Sequence, residues 1–257
     1  MKFNLRFDPS SQLLLESSAA IVAKDIYGRW ENVDEFHLVL TGGSSGVGFA
    51  NQLSIAIKKE SSLAVEYQYD VSEKTLHIWM SDERFVEISD ENRNDSAALA
   101  PFSEVECTVV THRVNPPSES SLPDSALTYA NSLRTLLGDQ FFDFTILGFG
   151  DDGHLASCFP GDFGVLNSIE RALSIENSPK YPPQRTTITL SQLARSRRII
   201  IFAIGEVKRE ALIHTLKGDG MMPVEILSKF HKDEELMIYT DISLPDYNLT
   251  MSSGEIR

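Results

Sequence analysis

The fold of this chain turns on residues 141–161, FFDFTILGFGDDGHLASCFPG. The apolar run Phe141 to Leu147 stops at Gly148, and two aspartates, a histidine, a serine and a Pro-Gly turn follow within a few residues. This is the pattern of a buried parallel strand that delivers polar groups at its carboxyl end, where open α/β sheets bind ligands. Gly148, Gly150 and Gly153 also satisfy G-x-G-x-x-G, a dinucleotide fingerprint. Two features argue against that reading: Asp151 and Asp152 would face a pyrophosphate, and the motif lies in mid-chain rather than in the first βα turn. The glycines call for a tight backbone, which holds His154 in a defined position.

Working outward, the 257 residues can bury a substantial core, and one domain over residues 1–257 is the expectation. No apolar run is long enough to cross a membrane, and MKFNLRFDPSS lacks the charge pattern and apolar core of a signal peptide. Cys107 and Cys158 form no metal-ligand or CxxC pattern, so a reducing cytoplasm is expected. The net charge of −14 argues against nucleic-acid and membrane partners. An anionic substrate would therefore need a local cluster of Arg or Lys.

Strand-like and helical patterns alternate along the chain. Residues 11–30 have helical spacing with Ser10 or Ser11 as cap, and Phe36–Leu40 reads as a strand. Thr41-Gly-Gly-Ser-Ser-Gly46 follows it and leads into a helix carrying Val47, Phe49, Leu53 and Ile57. Strand, Gly/Ser loop and helix can offer backbone N–H groups to an anion, or form a plain βα turn; no Gly-Lys-Ser/Thr makes this a Walker loop. Further strands are expected at 76–80, 105–110, 186–190, 198–204 and 236–240, and a loop at 81–86. Helices are expected at 122–137 with Gly138 as stop, after Gly205, and at 224–230. Residues 163–184 suggest a short helix or strand plus a long substrate-side loop, and the tail from Ser243 reads as loop. The alternation predicts an α/β fold, a mostly parallel sheet covered by helices on both faces, with a smaller lobe as an option after about residue 155.

In such a sheet the Thr41 loop, residues 82–84, residues 152–154 and Lys208 project from one edge. Gly43 and Ser44 can supply N–H donors, Arg84 a planar fork and Lys208 a point charge, a set suited to a phosphate monoester. His154 beside Asp152 is the natural general base. Each residue taken alone also has a structural reading: a hydrogen-bonded loop histidine, an Arg84 paired with Asp82 or Glu83, a lysine capped by solvent. His37, His77, His112, His214 and His231 have no partners in sequence and receive no function.

The segments TGGSS, WMSDERFV, FDFTILGFGDDGHLASCFPG and RTTITLSQLARSRRIIIFAIGEVKREAL together resemble, in order, the signature blocks of the glucosamine-6-phosphate isomerase/6-phosphogluconolactonase family, lactonase branch. The resemblance implies a Rossmann-like fold of the family's own type. It implies His154 as general base, Asp152 as its neighbour in the catalytic loop, and Arg84 and Lys208 on the substrate phosphate. It also carries over Gly42, Gly43 and Ser44 as the phosphate-side loop, Arg185 at the pocket rim, and Asn94. The deaminase branch typically follows its histidine with a segment containing a glutamate for ring opening; here Leu-Ala-Ser-Cys-Phe-Pro follows His154. The Gly-rich loop departs from the family's usual Ser-Gly-Gly-Ser-Thr-Pro at its tail, and Arg93-Asn94-Asp95 departs from Ser-Asn.

The implied reaction is hydrolysis of a phosphorylated δ-lactone, with no metal or organic cofactor called for and a monomer or small homo-oligomer expected. The rivals are a deaminase-like isomerase, which lacks its glutamate here, and a non-catalytic sugar-phosphate sensor, which would have no use for His154.

Overall fold

A computed structural model describes the chain except for residues 1–2, 67–69, 219, 221, 232–235, 246, 248–249 and 252–257. In chain order the elements are β1 (Phe3–Phe7), α1 (Ser11–Trp30), β2 (Glu35–Leu40), α2 (Gly43–Glu66), β3 (Thr75–Met80), β4 (Asp82–Arg84) and α3 (Asn94–Leu99). Then come β5 (Thr108–His112), α4 (Leu122–Ser132), β6 (Phe142–Gly148), α5 (Phe163–Leu166), β7 (Ala172–Ile175), β8 (Arg185–Ile188) and α6 (Leu190–Leu193). β9 (Ser196–Ala203), α7 (Arg209–Lys217), α8 (Pro223–Phe230), β10 (Leu236–Thr240) and β11 (Thr250–Met251) complete the set.

Eight strands form one sheet in the order β11-β1-β10-β9-β6-β2-β3-β5, every neighbouring pair parallel. The sequence explains the layering. Along β9, Ile199, Ile201 and Ala203 enter one apolar cluster while Ile200 and Phe202 enter the other. Strands buried on both faces are continuous apolar runs, as parallel sheets require. α1, α2 and α3 cover the face of Ile200, and α4, α6, α7 and α8 the face of Ile199. Helix starts follow side-chain caps: Ser10 Oγ accepts from Leu13 N, and Ser121 from Asp124 N. Gly138 at φ 57° ends the α4 region, as its position in the sequence indicated.

Three expectations change. Residues 82–84, read as loop, form β4 in a second sheet, β4-β8-β7, antiparallel, with Arg84 opposite Arg185. The smaller lobe therefore borrows its edge strand from before residue 155. The strand expected at 105–110 lies at 108–112, because a 3-10 turn occupies Ala100–Glu104 and Thr108 N donates to Lys74 O in register with β3. The tail contains β11, and β1 at the amino end, without an alternating signal, pairs between β11 and β10.

Candidate active site

The carboxyl edge of the large sheet and the small sheet enclose a cleft of about 170 Å³. Thr41, Gly42, Gly43, Ser44 and Ser45 enter it from the end of β2, Asp82 and Arg84 from β4, and Asn94 from the start of α3. Phe149, Gly150 and His154 enter from the loop after β6, Arg185 from β8, and Lys208 from the turn after β9. α2 begins at Gly43, so Ser44-Ser45-Gly46, the divergent tail of the glycine loop, is the first turn of a long helix. First-turn N–H groups have no intrahelical acceptor and carry the positive end of the helix dipole. Gly42 must be glycine: a Cβ there would lie 1.9 Å from Asn94 Oδ1.

The 149–159 loop is folded onto its histidine. Gly150 N donates to His154 O at 2.9 Å, and Gly153 N to Gly150 O at 3.0 Å. His154 Nδ1 lies 2.5 Å from Asp152 Oδ1, which also accepts from His154 N at 3.1 Å. A Cβ on Gly150 would stand 2.1 Å from that Nδ1, so the tight glycine path is what admits the ring. Because a carboxylate can only accept, Nδ1 carries the proton, and Nε2 keeps the lone pair of a base. Burial pushes the Asp152 carboxyl up, but the hydrogen bond and charge of His154 outweigh it and hold the group below its ordinary value. Phe159 packs on the imidazole with ring centroids 4.7 Å apart.

Opposite stand the cations. Arg84 donates through Nη1 to Asn92 O at 2.6 Å, while its Nε is buried with no hydrogen-bond partner among the described residues. It does not pair with Asp82, whose Oδ2 accepts from Ser157 Oγ at 2.7 Å and lies 3.8 Å from Arg185 Nη1. Lys208 is half-buried; burial lowers its pKa, the nearby Lys180 lowers it further, and Asp241 opposes both. Behind this wall, Glu83 is fully buried and accepts from Arg84 N, Asn94 N and Asp95 N at 2.7–2.8 Å. Burial pushes its carboxyl up to about 7, against the pull of the Asn94 N–H. Three donated N–H groups thus fix the backbone that presents Arg84 and Asn94.

Arg185, expected at the pocket rim, lines the cleft but is only 3% exposed: Nε donates to Pro182 O at 3.0 Å and Nη2 to Lys180 O at 3.1 Å, so it also pins the 180–185 loop. Of the other expected residues, Gly42, Gly43, Ser44, Arg84, Asn94, His154 and Lys208 meet in the cleft, and Asp152 stands behind His154. Thr41 and Asp82, from the stretches expected at this edge, line the cleft too, whereas Ser45 on the cleft wall and Ser157 bonded to Asp82 were not singled out; Ser157 is the last residue of the GHLAS motif, which was the available signal. Lys180, whose Nζ contacts Asp151 Oδ1 and lies 3.8 Å from Asp152 Oδ2, had no signal beyond the demand for cations.

A second polar cluster lies toward the opposite end of the strands. His37 and His77 face each other across β2 and β3, their rings stacked at 4.5 Å, with Glu35 at the mouth. Glu35, His37 and His77 are close enough to share a cation, as are Asp151, Asp152 and His154. The first set is poorly suited. Trp79 Nε1, which can only donate, gives its proton to His37 Nδ1 at 3.2 Å, which puts the His37 proton on the Nε2 that would have to ligate. In the second set Lys180 already occupies Asp151.

The sequence profile described as "Glucosamine-6-phosphate isomerases/6-phosphogluconolactonase" matches residues 9–238. A Mycobacterium bovis protein named 6-phosphogluconolactonase is 28% identical over 229 residues, 85% of this chain and 87% of the relative. Among solved structures, a 6-phosphogluconolactonase from Shewanella baltica superposes with TM-score 0.74 at 21% identity, covering 93% of this chain and 97% of the other. A monomeric glucosamine-6-phosphate deaminase superposes with TM-score 0.68 at 17% identity, covering 93% and 97%. The fold is common to both kinds of enzyme; what separates them must be sought in the site.

Proposed function

The chain belongs to the glucosamine-6-phosphate isomerase/6-phosphogluconolactonase family, and from that premise we propose that it hydrolyses 6-phospho-D-glucono-1,5-lactone to 6-phospho-D-gluconate. The observation that carries this reading is a histidine held by Asp152, its Nε2 free, in a cleft walled by Arg84, Arg185 and Lys208. In a chain of charge −14, such a wall is the local cation cluster that a sugar phosphate requires.

The phosphate sits on the first turn of α2, with Gly42, Gly43 and Ser44 donating and Arg84 and Lys208 supplying charge. Anchored there, the ring brings C1 to His154. Water attacks C1 as Nε2 takes its proton, and Asp152 stabilises the resulting imidazolium. The tetrahedral intermediate collapses, the C1–O5 bond breaks, and the imidazolium returns its proton to the departing ring oxygen. Asn94 orients the substrate beside Gly42. We also place the whole chain, residues 1–257, as one cytoplasmic hydrolase domain, a monomer or small homo-oligomer acting on a small molecule rather than on nucleic acid or membrane. Among the described residues, no helix is long and apolar enough to cross a membrane.

The deaminase alternative is disfavoured by Leu155-Ala156-Ser157-Cys158-Phe159-Pro160, which offers no carboxylate for ring opening. Ser157 is instead committed to Asp82. The test is proton release from freshly generated 6-phosphogluconolactone, with wild type and His154→Ala. Rapid turnover that the variant loses while it still binds product supports the reading. A wild-type rate no faster than spontaneous hydrolysis overturns it.

A further inference from the structure

Lys180 lies in the 176–184 connection between β7 and β8, among prolines and outside every recognisable motif. Arg185 holds that connection by its backbone, through Pro182 O and Lys180 O. The held loop brings the Lys180 ammonium, partly exposed, to the catalytic loop: it contacts Asp151 and lies 3.8 Å from Asp152 Oδ2. His154 takes the other oxygen, Oδ1. Asp152 thus faces a cation or donor on each side, the imidazole it orients and the ammonium of a lysine from the loop joining β7 and β8.

We propose that Lys180 is a positioning residue for the general base: it holds Asp152 on the oxygen that His154 leaves free and balances the doubled negative charge of Asp151 and Asp152. This deepens the reading of His154 as base and rests on it. Two adjacent carboxylates beside an imidazole would stabilise its protonated form and weaken it as an acid in the second half of the reaction. One ammonium between them leaves a single net negative charge. The other charges facing His154 are Arg185 from β8, Lys208 from the turn before α7, and Asp82 and Arg84 from β4, all lining the same cleft. Of these, Lys208 and Arg185 also feel Lys180, whereas Asp151 and Asp152 are the carboxylates it contacts directly. Removing Lys180 also frees the Asp152 carboxylate to rotate, and with it the ring.

The test is an NMR titration of the His154 imidazole, identified by its absence in His154→Gln, in wild type, Lys180→Met, Lys180→Arg and Asp151→Asn. Lys180→Met is expected to raise the midpoint by about 0.5 pH unit, modest because both carboxylates are partly exposed. Asp151→Asn is expected to lower it, and Lys180→Arg to restore the wild-type value. The acid limb of kcat/KM for the lactone should move with the NMR midpoint, and Lys180→Met should lose about tenfold in kcat with KM changed less than about threefold. An unmoved midpoint in Lys180→Met overturns the proposal, as does a rise in KM alone, which would make Lys180 a substrate contact. The titration needs no turnover, so a failure of the lactonase reading would appear in the wild-type assay and leave this result separate.

Discussion

Histidines sit in two contrasting places on the same sheet. His154, on a glycine-rich loop at the carboxyl edge, has a carboxylate 2.5 Å from Nδ1 and its other nitrogen facing a cleft. His37, His77 and His112 stack on one another and on Trp79, whose ring lies 3.6 Å from that of His112. Burial lowers the pKa of all three, in His112 to about 4, with the neighbouring imidazoles adding to the effect in His37 and His112. The residue type is the same and the chemistry is opposite. A partnered imidazole at an opening can gain and lose a proton, whereas a stacked, desolvated one is held neutral as a flat polar filler.

The largest effect should come from His154. Replacement by Gln is expected to cost about a thousandfold in kcat, the usual range for a general base, with an unchanged melting temperature. Equal losses from His112→Phe would erase the contrast. Next in size is the phosphate wall: Lys208→Met should raise KM about 10- to 100-fold and leave kcat nearly intact, since a charged hydrogen bond contributes about 1.5–3 kcal/mol. A fall confined to kcat would move Lys208 from binding to chemistry.

His112 provides the reverse experiment. Its pKa is lower in the fold than in the unfolded chain, so the unfolded state binds more protons below pH 6.5. The stability it contributes is present above pH 6.5 and is lost as pH falls toward about 4. With solvent screening at this half-buried site, the loss is about 1–2 kcal/mol. His112→Phe should flatten the acid side of the stability curve, measured by urea unfolding at several pH values, and leave lactone turnover untouched. Identical slopes in wild type and variant would show that the stack is not what senses acid.

How far these two regions could be read from sequence differs for a physical reason. The cleft was legible because its residues cluster in short motifs: an apolar strand breaking into Gly, Asp and His carries its own register, and a parallel sheet collects strand ends at one edge. The sheet order that sets His37 beside His77, and Trp79 beside His112, comes from lateral pairing between residues about 40 and 33 apart in sequence, on which no single stretch bears. The buried Arg185 and the reach of Lys180 were hidden likewise, because β4 and β8 meet only through the second sheet. Residues 82–84 were expected to project from the sheet edge out of a loop; Asp82 and Glu83 lie in a strand, buried and hydrogen-bonded.

The smallest expected effect sharpens the comparison most. Glu35 stands at the mouth of the stack, 3.7 Å from His37 Nε2 and 3.9 Å from His77 Nε2, with 59% of its side chain exposed. If the imidazoles are neutral at pH 7, Glu35 faces no cation, and Glu35→Gln should change stability by less than about 0.5 kcal/mol. At pH 5 the carboxylate would begin to favour protonated imidazoles, and the variant should become slightly the less stable of the two. Stoichiometric zinc provides the control. Because the Trp79 N–H occupies His37 Nδ1, ligation at Nε2 would require an imidazole without its proton, so zinc should leave the melting temperature of both proteins unchanged. A zinc-dependent rise that Glu35→Gln abolishes would mean that the indole does not fix the tautomer. The stack would then be a ligand set, and the difference between the two histidine sites would be one of occupant rather than of charge state.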